Sequence, residues 1–487
     1  MKFNIGEKVK TMLQNWLNIV PAPAVNITLM EKTNFETDVM RSQIWYRGDA
    51  SELLQFFKQL GKEDGSFWSK VPDGSCQTVR KIHTGLPAII ADTLAYIVKS
   101  DLDDVEIDNA DWEEISKKIG FNDIVGTAVV ETLVSGDGAF KISVGEGQYP
   151  EVSFFSADRC EYEYSGRTVT AITFRTDYVI ENKTYHLYER YSKGRIESQL
   201  IGKNNQYVTF DKVPELADIK PVIEFDGDFV MAVPVRFYDS KKYPDRGKSI
   251  FDGGKSDCFD ALDEVVSQWW DAIRAGRVSK YIPESLVPRN RNDGSLMSVN
   301  SFGTEFIVLE SPVSETGGRD NKIEVVQPEI KYDAFVSSYT SALLMCLQGL
   351  VSPATLGIDV GKMSSADAQR EKKDVTGNTR NTITSALESC LPQFISSILK
   401  TYDIMRGIAP GQYDEIKVSF GEYGAPDFDS RVETVGKSAA YGIMSIETQV
   451  NELWGSSKDD KWKESEVQRI MSEKGLLEAD EPSVGDA

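Results

Sequence analysis

Histidine is nearly absent from this 487-residue chain, which has only His83 and His186, about 100 residues apart. That excludes a metal centre built on several imidazoles, and with it the HExxH pattern. His83 precedes a helical segment and His186 sits in an alternating one, so each reads as structural or surface. The five cysteines, Cys76, Cys160, Cys258, Cys346 and Cys390, are scattered and form no CxxC. Unpaired thiols in a reducing compartment are the simplest reading. No GxSxG occurs, so a hydrolase nucleophile elbow has no support. No run of about 18 apolar residues occurs, so no membrane-spanning helix is expected. The start, MKFNIGEKVKTMLQNWLNIVPAP, lacks a signal peptide's apolar block, because Gln14 and Asn15 interrupt Met12, Trp16, Leu17 and Ile19. Positive charge is also short, at 54 Lys and Arg against 76 Asp and Glu, a net of −22. Such a surface keeps a protein soluble and repels nucleic acid unless basic residues are concentrated locally.

One stretch comes close to a nucleotide site and misses. RGKSIFDGGKSD contains GKS twice, at Gly247 and Gly254. A phosphate-binding loop needs a glycine five positions earlier, where this chain has Lys242 and Ser249, and a buried strand just before, where it has KKYPD. The stretch reads instead as the lead-in to a helix, with Phe251 seated before it. Asp103 and Asp104 read as an exposed acidic loop. No motif supports catalysis, and no cofactor or metal is expected.

What is present is patterned secondary structure. Residues 1 to about 135 read mostly helical, with a capping box at Asp49 and Glu52, Pro87 in the first turn of another helix, and Gly136 ending a third. Asp49 as a cap also disposes of the RGD at residues 47–49. From about 138 to 235 the period changes to two, in segments such as AFKISV and VTAITFRTDYVI, and predicts an antiparallel sheet. A helix follows, with Phe259, Leu262, Val266, Trp269, Trp270 and Ile273 on one face. Asp260, Asp263, Glu264 and Asp271 lie on its other faces, and Arg274 and Arg277 close it. Residues 278–329 read as short strands and turns, too few for a large core.

KYDAFVSSYTSALLMCLQGL then forms a second amphipathic helix with a small, uncharged opposite face. A nearly uncharged loop, VSPATLGIDVGKMSS, separates it from a long charged helix that is expected to start after Ser364 and run to about Arg406. Gly377 and Pro392 inside that helix predict kinks. The tail reads as one strand, YDEIKVSFGEY, then short helices, then an acidic end.

This order resembles the portal proteins of tailed double-stranded-DNA bacteriophages. GKSIFDGGKSDCFDALDE looks like the family's approach to its first stem helix. Gly349, Leu350, Ser352 and Ile358, with SSADAQREKKDVTGNTRNTI, look like its tunnel loop and long wing helix. HTGLPAIIADTLAYIV and LVSGDGAFKISV look like N-terminal wing segments, and KWKESEVQRIMSEKG like the C-terminal helical end. The family often has threonines and a glutamate at the loop-to-helix junction, where this chain reads Met363-Ser-Ser-Ala-Asp-Ala-Gln; Ser364 and Asp367 retain the capping role. The resemblance implies an α+β portal fold, divided as an N-terminal wing (1–250), first stem helix (251–277), α/β clip (278–329), second stem helix (330–350), tunnel loop (351–365), long wing helix (366–407) and returning strand with crown (408–487).

It further implies a ring, typically of twelve subunits, at one capsid vertex, through which terminase pumps DNA and through which the genome leaves. The implied partners are other copies of the chain, double-stranded DNA, the terminase large subunit, major capsid protein, scaffold and a head-completion adaptor. The implied location is the virion, after assembly in the host cytoplasm. The portal itself hydrolyses nothing.

A channel loop must touch DNA without gripping it, and phosphate contacts from Lys and Arg dominate DNA affinity. Here the candidate DNA-facing residues are Ser352, Thr355, Asp359, Lys362 and Ser364, with Gly357 and Gly361 giving the loop freedom. Candidate basic contacts are Arg274, Arg277 and Lys280 at the stem end and Arg289 and Arg291 in the clip. Two rival readings remain: another oligomeric virion or adaptor protein without a DNA channel, and a cytoplasmic enzyme with an unfamiliar site in a concave polar pocket.

Overall fold

The structure, a computed structural model, describes residues 33–60, 65–70, 79–102, 105–145, 147–252, 254–276, 279–283, 294, 305–309, 324–327, 329–358, 366–421, 428–454 and 460–473. The fold is mixed α+β. It begins with α1 (Phe35–Arg47), whose Asn34 cap accepts from the Thr37 N–H and which ends on left-handed Gly48. In α2 (Ala50–Leu60) Asp49 does cap, its side chain taking the Ser51 N–H at 2.7 Å. The expected capping box is incomplete, because Glu52 turns back to Arg47 at 2.8 Å. Next come α3 (Leu86–Ser100), with Pro87 in its first turn, α4 (Trp112–Ile119) and α5 (Phe121–Ser135), which Gly136 ends.

Strands β1 (Asp137–Ser143), β2 (Glu151–Ser156) and β9 (Ala232–Arg236) form an antiparallel sheet with β1 central. A second antiparallel sheet runs β3 (Cys160–Ser165), β4 (Thr168–Ile180), β5 (Lys183–Ser192), β6 (Arg195–Ile201) and β7 (Tyr207–Val208), with β8 (Val222–Glu224) also on β6. The period-two segments thus fold as their alternation dictates. The first GKS has a packing role. A side chain at Gly247 would place its Cβ 2.1 Å from the Gly136 carbonyl oxygen, so the two backbones meet where no Cβ fits. Asp137, next in line, accepts from the Gly247 N–H at 2.6 Å, Arg246 at 3.0 Å and Tyr162 at 3.2 Å. Burial pushes its carboxyl above the usual range against the pull of Arg246.

Helix α6 (Lys255–Ala275) leads to a small sheet of β10 (Ser279–Pro283), β11 (Glu305–Leu309) and β12 (Glu324–Val326). Strand β10 is central, parallel to β11 and antiparallel to β12. Helix α7 (Tyr332–Leu347) returns beside α6. Helix α8 (Ala366–Met405) runs unbroken through both Gly377 and Pro392. Its middle is the spine of the main core. Ile383, Leu387, Leu391, Phe394 and Ile398 are fully buried, and Phe394 stacks on Phe140 at 4.0 Å between ring centroids.

Two expectations are corrected. Residues 413–421, the described part of the expected strand, form none. Lys417 and Phe420 make isolated bridges to Glu106 and Leu102, while Ile416 and Val418 are buried. The helical reading of residues 1–135 also breaks at residues 65–70 and 79–85, an irregular strap laid along α6. The tail closes with α9 (Phe428–Ala440), α10 (Ile446–Trp454) and α11 (Asp460–Glu473).

Candidate functional site

The α6–α7 hairpin differs from base to tip. At its base, Phe259 and Leu262 of α6 and Leu343, Cys346 and Leu347 of α7 join the main core. Asp263 of α6 is 0% exposed and serves the strap. One of its oxygens takes the Thr84 N–H and hydroxyl, both at 3.0 Å; the other takes Trp68 Nε1 at 3.1 Å and His83 Nδ1 at 2.7 Å. Asp260, one turn back, takes the Phe67 and Trp68 N–H groups at 2.7 and 3.1 Å, and burial raises its carboxyl above the ordinary range. Ser267 accepts the Ile82 N–H at 2.9 Å. Off the apolar stripe, Asp260 and Asp263 are thus the acceptors that dock a backbone segment nearly two hundred residues away. A buried carboxylate can persist there because donors surround it.

The second GKS also finds its use here. Lys255 opens α6, and its Nζ donates to the carbonyls of Met345, Cys346 and Gln348 at 2.8, 3.2 and 2.7 Å. A lysine therefore closes the C-terminus of α7, where carbonyls lack helical partners and a cation is favoured. Burial lowers the ammonium pKa.

Toward the tip the helices hold each other through Trp269, which stacks on Phe335 at 6.1 Å and 3° and meets Tyr332 and Tyr339 edge-on or tilted. Gly276 lets Ile330 approach; a Cβ there would lie 2.9 Å from it. The outer faces are apolar and uncovered. Trp270 is 52% exposed, Tyr332 61% and Met345 56%, with Ile273 and Leu344 also exposed. Ser337, Ser338 and Ser341 add an exposed uncharged strip on α7. Arg274 is exposed in the last turn of α6. The side chains of Arg277, Lys280, Arg289 and Arg291 lie outside the described residues.

The loop after α7 is less free at its start than its composition suggests. Ser352 is 2% exposed, and its N–H donates to Thr376 Oγ1 at 2.9 Å. Its assignment as a DNA-facing side chain is therefore corrected: it packs against α8. Thr355 is half-buried and bonds the same Thr376 hydroxyl at 2.9 Å, while Thr379 donates to the Leu350 carbonyl at 2.7 Å. A short 3-10 turn, Pro353–Leu356, ends on left-handed Gly357. One residue further along α8, Arg380 reaches Asp101 at 3.0 Å and the Gly421 carbonyl. Asp359, Gly361, Lys362 and Ser364 lie outside the described residues.

A wide cleft of about 1200 Å³ opens elsewhere, on the face of β4–β6 under residues 218–226. Three of its lining cations are paired with carboxylates, Lys141 with Glu189, Lys193 with Asp228, and Arg195 with Glu197. Among the described residues no group of three or more His, Cys, Asp or Glu is placed to hold a metal, and no helix is long and apolar enough to cross a membrane.

No protein-family model matches the chain, and no curated protein matches it significantly. Among solved structures, it is similar to a chain in the neck of a native GTA particle computed with C12 symmetry. The identity is 11% and the TM-score 0.40, over 76% of this chain and 89% of that one. It is also similar to a chain in the neck of an empty GTA particle computed with C6 symmetry, at 9% identity and a TM-score of 0.39, over 74% and 88% of the respective chains.

Proposed function

We propose that this chain is a portal subunit. Copies form a ring at one vertex of a virion, with α6 and α7 as its stem, the β10–β12 sheet as its clip and the loop after α7 facing a DNA channel. The supporting observation is the α6–α7 hairpin, whose base joins the core on one face while its outer faces leave Trp270 and Ile273 toward the tip, and Leu344 and Met345 near the base, exposed. Large apolar side chains clustered on an otherwise soluble protein mark an interface. A heterologous contact between such faces closes into a ring when its rotation permits. In this reading DNA passes without chemistry by the chain itself, and the clip meets terminase during packaging and a head-completion adaptor afterwards. Scaffold and major capsid protein pack around the rim.

Electron microscopy of the purified protein, with its native mass, tests this. Rings with a central hole are expected; a chain that stays monomeric at high concentration and with scaffold added refutes the reading. For the loop, Lys362→Glu or deletion of residues 355–362 is expected to impair DNA packaging. Unchanged packaging in both removes the loop from DNA contact.

A further inference from the structure

We propose that residues 24–30 of this chain dock as an extended strand along the free edge of β9, in a groove between α8 and the β3–β4 hairpin. Strand β9 pairs with β1 alone among the described residues. Two adjoining cavities of about 480 and 240 Å³ run along its other edge and share Arg167, Val169 and Pro234 as lining. Helix α8 lines them from Ala386 to Lys400, about 21 Å of helix at 1.5 Å per residue. Seven residues of extended chain span about 23 Å.

The β9 backbone offers hydrogen bonds at that edge. Ile142 of β1 donates its N–H to the Met231 carbonyl at 2.9 Å. By alternation Met231, Val233 and Val235 direct their backbone groups to β1, and Ala232, Pro234 and Arg236 direct theirs to the groove. Ala232 is 5% exposed, and neither its N–H nor its carbonyl meets a backbone partner among the described residues. A buried backbone group without a partner costs about as much as a lost hydrogen bond, so native structures rarely leave one. Pro234 has no N–H, as befits an edge, and an incoming strand bonds on either side of it.

The N-terminal sequence supplies an occupant of matching pattern. AVNITLM, residues 24–30, puts Val25, Ile27 and Leu29 on one side and Asn26 and Thr28 on the other. Pro21 and Pro23 favour extended backbone just before it. The groove walls differ in the same way, with Val169, Ile172 and Val230 on the sheet side and Gln393, Ser396 and Ser397 on α8. The tether also raises the local concentration of the chain's own segment above that of a separate peptide. The described residues begin at Thr33. Nearby, Phe35 lies on Arg246, which faces Tyr162 and bonds Asp137 at 3.0 Å. Tyr162 and Asp137 line the smaller cavity, and β9 runs from the larger cavity toward it. Three extended residues cover about 10 Å, so Met30 enters at the smaller cavity and the docked strand runs parallel to β9.

The test is hydrogen exchange of the full chain, read at single residues. Deleting residues 1–30 is expected to speed exchange of the Ala232 amide about tenfold, whereas deleting residues 1–19 leaves it protected. Val233 and Val235, turned to β1, serve as internal controls and stay unchanged. Ile27→Asp, which keeps the full length, exposes Ala232 as the longer deletion does. A synthetic peptide of residues 20–32, added to the longer deletion, restores protection along a saturating curve. Equal Ala232 exchange in the native chain and in Ile27→Asp overturns the proposal, as does protection already lost without residues 1–19. Acceleration of Val233 and Val235 to the same extent in Ile27→Asp marks a global effect and overturns it too. Protection that vanishes on dilution of the native chain places the strand on a second copy and overturns docking within one chain.

Discussion

The two ends of the α6–α7 hairpin follow the same apolar spacing and meet different fates. At the base, Phe259, Leu262, Cys346 and Leu347 join the main core, where Phe259 meets Trp45 of α1, and the polar groups beside them are hydrogen-bonded. At the tip, Trp269 finds Phe335 across the pair, but Trp270 and Ile273 next to it stay 52% and 41% exposed among the described residues. Helical periodicity specifies which face is apolar; whether that face is covered by the same chain or by another copy depends on where the helix leaves the core.

This contrast can be tested from the strongest effect downward. Phe394→Ala empties the fully buried site beside Phe140 and is expected to cost about 3–5 kcal/mol in denaturant unfolding. Asp263→Ala strips four hydrogen bonds from the strap and should cost about 3 kcal/mol, with faster proteolysis near residues 66–84. Asp38→Asn should cost about 1–2 kcal/mol at neutral pH. Burial drives the Asp38 carboxyl up, but hydrogen bonds from Lys242, Tyr243 and Thr33, with the Arg41 charge, hold it below its ordinary 3.8. A depressed folded value contributes stability above pH 3.8 that is lost as pH falls through the folded value, so the gap between Asp38→Asn and the native chain should close in acid. The paired change Trp270→Ser and Ile273→Ser should leave monomer stability within about 0.5 kcal/mol and abolish rings in electron micrographs. A large stability loss from that pair would erase the distinction between base and tip.

Much of the architecture was legible in the sequence because its signals are local. Pro87 and Gly136 mark helix ends by their own backbone preferences, and the stripe from Tyr332 to Leu347 needs no knowledge of its partner. The misses are all non-local. Asp260 and Asp263 look like solvent-facing acids until residues 67–68 and 83–84 fold onto them. Ser352 has the composition of an exposed loop, but Thr376, 24 positions later, accepts its N–H. Ile416 and Val418 alternate as a strand would, yet the same alternation serves a segment touching its neighbour at two bridges. At the candidate channel, the reading of Lys362 and Asp359 rests on sequence alone, whereas Thr355 is drawn partly inward by α8.

Helix α8 has a mechanical consequence. Its buried stretch begins at Thr376, which is 0% exposed, and its N-terminal end at Ala366 follows the loop in the chain. The roughly ten residues from Ala366 to Thr376 make a lever arm of about 15 Å at 1.5 Å per residue. With the fulcrum at Thr376, a tilt of about 5° moves the N-terminal end by about 1 Å, a displacement on the scale of a helix shift between two packed states. The lever is stiff because its hydrogen-bonded rod is unbroken, and the threonine at position 376 couples the loop to it directly. Small rearrangements in the core are therefore geared up at the loop, and a force on the loop is delivered back to the aromatic centre at Phe394.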